Sequence, residues 1–228
     1  MKNYLFMATV MLLGSTASAQ ENSDGEIIMT KMVLPNGKEL KYGKLDSLKN
    51  AWGGEDRVLF RRKENEKEII YLVRKTDEEF KKEAEAIKAL NAMVGNAAPQ
   101  FEITDLNGKK WSLKDLRGKI VALNFWFTSC EPCIREIPEL NQLVEKYKGK
   151  DIVFLALATD KAAKITTFLE KREFGYTIVH DSFKVSQDYN ITSWPTSIVI
   201  DKKGIIRFVQ VSGEDIQNKL KTAINKAG

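Results

Sequence analysis

The chain has 228 residues, of which 43% are hydrophobic and 29% charged. That is enough apolar material for one large domain or two small ones, so disorder is not the default reading. The formal net charge of +5 is spread along the sequence without gathering into a basic block, so no nucleic-acid partner is expected.

The N-terminus reads Met1-Lys2-Asn3, an apolar run over residues 4–13, then Gly14-Ser15-Thr16 and Ala17-Ser18-Ala19 before Gln20. A basic start, an apolar stretch and a small-residue site predict a secretory signal peptide over residues 1–19, cleaved after Ala19. The run is well short of the roughly 20 residues a membrane-spanning helix needs, so no bilayer-spanning segment is expected in the mature chain. With no cysteine near the cleavage site, a lipid anchor is not expected either.

Residues 20–93 are expected to form a small α+β segment of unassigned role. Alternating runs at 26–33 and 38–42 flank Pro35-Asn36-Gly37, a hairpin signal, and strands are predicted at 57–61 and 68–73. Thr76 followed three residues later by Glu79 is a capping box, opening an amphipathic helix that runs to Met93.

Residues 94–228 differ in character. Gly95-Asn96-Ala97-Ala98-Pro99 marks a boundary, and Asn107-Gly108 centres a hairpin. Residues 120–126, apolar except for Asn124, predict a buried strand. A helix from the cysteines to about Lys148 follows, then a strand at 152–158, a helix at 162–171 and a strand at 177–180. Strands at 197–200 and 205–209 flank Asp201-Lys202-Lys203-Gly204, and a last helix starts near Gly213-Glu214. Strand, helix, strand, helix, hairpin and helix is the order of a thioredoxin-type α/β fold, a mixed central sheet flanked by helices.

Cys130-Glu131-Pro132-Cys133 contains the chain's two cysteines and falls where a buried strand gives way to a helix. The helix N-terminus favours a thiolate on the first sulfur, and the spacing permits a disulfide. A tetrahedral metal site needs two more ligands, and the chain's one histidine, His180, cannot supply them. A structural staple across so small a loop constrains little of the unfolded chain. Redox chemistry is the reading that remains, with Cys130 expected to be the accessible thiol and Cys133 the shielded one. His180, alone at a strand end, is read as a satisfied polar residue.

Residues 124–138, Asn-Phe-Trp-Phe-Thr-Ser-Cys-Glu-Pro-Cys-Ile-Arg-Glu-Ile-Pro, resemble the active-site stretch of the TlpA/ResA family of exported thioredoxin-like proteins. So do Ala98-Pro99-Gln100-Phe101, residues 105–109, residues 113–119 and Trp194-Pro195-Thr196. The resemblance covers about residues 95–225 and implies a periplasmic thiol–disulfide oxidoreductase. Cys130 would be the attacking cysteine, Cys133 the resolving one, and the Cys130–Cys133 disulfide the only redox group, with no separate cofactor or metal. It implies a cis Pro195 that faces the disulfide and meets an extended client chain together with Trp194 and Thr196. Pro138 would bend the catalytic helix. Trp126, Asn124 and Pro132 would support the site.

Asn124 stands where thioredoxin carries a buried aspartate, so no carboxyl is expected there. Glu136 resembles a ResA-type glutamate one turn beyond the second cysteine, able to exchange protons with a thiol. Ser129 replaces a tryptophan common before the first cysteine. The partners implied are cysteine-containing protein clients and a membrane thiol electron donor, and cytochrome c maturation is one task of the family. Two rival readings are a peroxidase on the same fold and a non-catalytic metal chaperone. The first wants a threonine where Phe127 stands, and the second a wider cysteine spacing.

Overall fold

The computed structural model describes residues 19–21, 27–29, 31–41, 44–54, 58–63, 66–213 and 215–228. Of the expected signal sequence over residues 1–19, all but Ala19 lie outside these residues. The chain divides into two compact units, Met1–Lys81 and Lys82–Gly228.

In the first unit, β1 (Ala19–Glu21) pairs antiparallel with β2 (Ile27–Met29). A three-stranded sheet has β5 (Glu66–Arg74) at its centre, parallel to β3 (Lys31–Val33) and antiparallel to β4 (Val58–Lys63). The Pro35-Asn36-Gly37 turn forms, with Gly37 at φ 78°, and among the described residues the expected return strand over 38–42 is reduced to one bridge from Val33 to Glu39; Tyr42 lies outside them. β3 has spent its other edge on β5. Helix α1 (Leu45–Trp52), not foreseen in the sequence, brings Leu45, Leu48 and Trp52 onto Leu72 of β5.

Helix α2 (Asp77–Asn91) opens on the predicted capping box. The Thr76 amide donates to Glu79 Oε2 at 2.8 Å, and the Glu79 amide donates to Thr76 Oγ1 at 3.2 Å. The unit boundary falls inside this helix, ahead of residue 94. The reason is visible in its last turns, where Leu90 is 2% exposed and belongs to the second unit's core.

The second unit opens with the small hairpin β6 (Glu102–Thr104) and β7 (Lys110–Ser112), turning at Gly108. Its main sheet uses β8 (Ile120–Trp126), β9 (Ile152–Ala158), β10 (Thr177–Val179), β11 (Thr196–Ile200) and β12 (Ile206–Val211) in the order β10-β9-β8-β11-β12. The first three run parallel, and β11 and β12 are antiparallel additions. Every residue of β8 is buried, which matches its unbroken apolar run, because helices cover both faces of the sheet.

Alternation along β8 sorts the core. Ile120, Ala122 and Trp126 face one cluster with α3 (Glu131–Lys146), α4 (Ala162–Leu169) and α6 (Ile216–Ala227). Val121, Leu123 and Phe125 face another with Leu90 and with Val185 of α5 (Phe183–Asp188). The small Ala122 and Ala156 on the first face leave room for α3. The thioredoxin-like mixed sheet expected from the element order is therefore the fold of this unit.

Candidate active site

The C-terminal end of β8, a central strand, delivers the chain to the head of α3. Phe127, Thr128 and Ser129 make the crossing. Thr128 donates its amide to Asp160 Oδ2 at 2.6 Å, which ties the crossing to the segment just after β9. Burial disfavours the Asp160 charge, but hydrogen bonds from Lys164 and Thr128 outweigh it and hold the carboxyl below its usual range. Asp160 is the anchor of this loop, and no motif in the sequence marked it.

Cys130 is the N-cap of α3, with Pro132 in the first turn. Proline suits that position because the first helical amides need no intrahelical acceptor. Cys130 and Cys133 are joined in a disulfide with Cα atoms 5.2 Å apart, and Cys130 Sγ accepts the Cys133 amide at 3.3 Å. In this oxidised pair both cysteines are buried, Cys130 at 4% and Cys133 at 3% exposed, and neither is a free thiol.

Beneath the disulfide, Cys133, Glu136, Ile137, Leu140 and Leu143 form the buried stripe of α3. Glu136 occupies a core position of that stripe, one turn below Cys133. Burial, and secondarily the neighbouring Glu139, push its carboxyl up to about 7 against the opposing pull of Arg135 and Lys219. Its Oε2 atom has no hydrogen-bond partner among the described residues. Pro138 lies inside the helix on its exposed side.

Asn124 is buried in β8 and donates through Nδ2 to Ser197 Oγ of β11 at 3.1 Å. Trp126 is fully buried, packed between Phe168 and Phe174 at 5.3 Å each, in the cluster that also holds both cysteines. It backs the site from below.

The loop before β11 carries the predicted client-binding residues. The Trp194–Pro195 bond is cis. Pro195 has no amide hydrogen, and its carbonyl accepts the Ser212 amide at 2.8 Å. Thr196 is buried, and its hydroxyl donates to the Ser193 carbonyl at 2.7 Å. Ser193 in turn donates to Glu83 of α2 at 3.1 Å. Trp194 stands edge-on to Phe127 at 5.8 Å.

Trp194, Phe127, Ser129, Thr159, Asp160, Lys164 and Phe183 line an open groove of about 370 Å³, with Ser129 the residue before Cys130 in the chain. Phe183 is 59% exposed, an unusual placement for a large apolar side chain. Nothing in the sequence marked it, because α5 is too short for periodicity to show which face it presents. His180 meets Asp181 at 2.8 Å, away from this groove's lining.

The comparisons with known proteins agree with this geometry. The AhpC/TSA family model matches residues 94–209. The chain is 38% identical over 135 residues to the thiol-disulfide oxidoreductase ResA of Bacillus cereus, covering 58% of this chain and 78% of that protein. It is 35% identical over 127 residues to the thioredoxin-like protein YneN of Bacillus subtilis, covering 54% and 75%. Among solved structures, the thioredoxin domain of a thiol-disulfide oxidoreductase from Bacteroides vulgatus superposes with a TM-score of 0.53 at 29% identity, covering 58% of this chain and 98% of that one. With a disulfide at the head of α3 and relatives of this kind, the chain belongs to the AhpC/TSA family and is a thiol–disulfide oxidoreductase of the ResA-like group.

Proposed function

We propose that the protein is an exported, periplasmic disulfide reductase for cysteine-containing protein clients, with Cys130 as nucleophile, Cys133 as resolving thiol and Glu136 as proton carrier. The observation that carries this reading is the Cys130–Cys133 disulfide at the N-terminus of a long helix, directly above a buried carboxyl.

The reduced pair begins the cycle. The Cys130 thiolate, favoured by the helix end, attacks one sulfur of a client disulfide. The client S–S bond breaks, one client thiolate leaves, and a mixed disulfide forms. Cys133 then loses its proton to Glu136 and attacks Cys130 Sγ, which releases the second client sulfur. The client gains two electrons, and the pair ends as the disulfide. Return to the dithiol takes two electrons from outside, which in an oxidising compartment we assign to a membrane thiol donor. The cycle needs no dissociable cofactor and no metal.

The groove between Trp194, Phe127 and Phe183 fits an extended client segment with apolar side chains beside its cysteine. The A-x-A pattern ahead of Gln20 supports export, and no helix among the described residues is long and apolar enough to cross a membrane. A role in cytochrome c maturation is compatible with this chemistry. The peroxidase rival is disfavoured by Phe127, a bulky ring where that reaction wants a hydroxyl. The metal-chaperone rival is disfavoured by a cysteine pair closed on itself.

The test is a trapping experiment. Cys133→Ser in the full chain should accumulate mixed disulfides with a cysteine-containing client through Cys130, whereas Cys130→Ser should not. Adducts on Cys130→Ser alone would reverse the assignment.

A further inference from the structure

Hydrogen bonds reach the turn around the cis Trp194–Pro195 bond from three directions. The Thr196 hydroxyl donates to the Ser193 carbonyl at 2.7 Å and closes the turn on itself. The Ser212 amide, just past β12, donates to the Pro195 carbonyl at 2.8 Å. The Ser193 hydroxyl donates to Glu83 Oε1 of α2 at 3.1 Å, across 110 positions of chain. This last bond comes from a helix that precedes the segment matched by the AhpC/TSA family model, which begins at residue 94.

The end of α2 is fixed where it can offer this contact. Leu90 is buried in the second core cluster, and Met93 packs against that cluster while its sulfur accepts the Asn190 side-chain amide at 3.7 Å. Glu83 shares a helix face with Ile87 and Leu90, so it sits half-buried on the side that meets the core. Packing on that face would be served by an apolar side chain, and the carboxyl adds a specific acceptor instead. Trp194, the neighbour of the tethered Ser193, stands edge-on to Phe127 at 5.8 Å and lines the groove together with Ser129. The tether therefore acts, one residue away, on a ring of the groove wall.

We propose that Glu83 is a positioning residue for client binding, whose bond to Ser193 sets the Trp194-Pro195-Thr196 turn in the form that receives an extended client segment. This rests on the reading of that turn and groove as the client's seat. A tethered turn has less freedom to lose when a client settles on it, so the same contacts give tighter binding. Glu83 touches neither client nor sulfur. A small disulfide has no peptide chain to lay along the turn, so Glu83 bears on the preference for protein clients more than on exchange itself.

The experiment oxidises the pre-reduced full chain in single turnovers with insulin, a protein disulfide, and separately with hydroxyethyl disulfide. E83A should raise the half-saturating insulin concentration about three- to tenfold, the range that one ordinary hydrogen bond supports. The rate on hydroxyethyl disulfide should fall less. E83Q keeps an acceptor oxygen and should recover most of the loss. S193A removes the same bond without altering α2 and should match E83A, and the E83A/S193A double variant should add nothing further. W194A, which removes the groove ring, tests the underlying reading. If E83A and S193A bind insulin like the parent while W194A is weakened, Glu83 has no part in positioning and the client's seat stands. If W194A also binds like the parent, both assignments fall. Equal losses on insulin and hydroxyethyl disulfide, or equal losses in E83A and E83Q, would likewise overturn the role given to Glu83.

Discussion

Glu136 links stability to pH with a sign opposite to that of most carboxylates. Its folded pKa of about 7 lies above the ordinary 4.5, so between these values the folded protein holds more protons than the unfolded chain. Stability from this group is therefore intact below about pH 4.5 and declines as pH rises towards 7. At most about 3–4 kcal/mol is at stake, because a tenfold change in an acid's ionisation constant is worth about 1.4 kcal/mol. In the oxidised protein, where no thiol titrates, Glu136→Gln should unfold like the parent at pH 4.5 and be more stable at pH 8. Denaturant titrations at the two pH values check this, and equal differences at both would mean that the carboxyl is not buried. The position was legible from its neighbours, since Glu136 falls on the stripe of Cys133, Ile137, Leu140 and Leu143.

The elements themselves were well marked where burial and periodicity agree. β8 and β9 sit at their predicted residues because a central parallel strand is apolar throughout. α2 starts at its capping box. Helices α1 and α5 were not foreseen: α5, at six residues, is too short to show a helical period, and with it went Phe183, whereas α1 carries helical spacing at Leu45, Leu48 and Trp52 that the strand signals on either side overshadowed. Asp160 was equally hidden, because its role depends on the loop between β8 and α3 passing close to the end of β9. That contact makes a prediction at the scale of elements. Asp160→Ala removes the acceptor for the Thr128 amide and should destabilise the protein by about 1–3 kcal/mol. It should also loosen the approach to Cys130, read as faster hydrogen exchange at Thr128. Unchanged exchange there would mean that the head of α3 holds the loop unaided.

For the whole molecule, the placement of α2 decides how the chain can be divided. Residues 20–93 carry no cysteine and no motif that speaks to redox chemistry, and we propose that they supply partner choice or dimerisation. A cut at residue 94 would nonetheless remove two things from the catalytic unit. One is Leu90, buried among Phe101, Leu113, Phe125 and Tyr189 in the second core cluster. The other is Glu83, which accepts the Ser193 hydroxyl in the loop that carries Pro195. Loss of a leucine from such a core costs about 2–5 kcal/mol, a large part of the stability of an ordinary domain. A chain beginning at Thr76 keeps both, together with the capping box that starts the helix. That chain should fold cooperatively and exchange a small disulfide at a rate within a few-fold of the parent, whereas one beginning at Gly95 should be markedly less stable. Protein clients should separate the two functions. If the earlier residues choose partners, the Thr76 chain should lose rate on protein clients while keeping it on the small disulfide. Equal rates on both would leave residues 20–75 without a part in client choice. A Thr76 chain that fails to fold would mean that the first unit completes the core of the second.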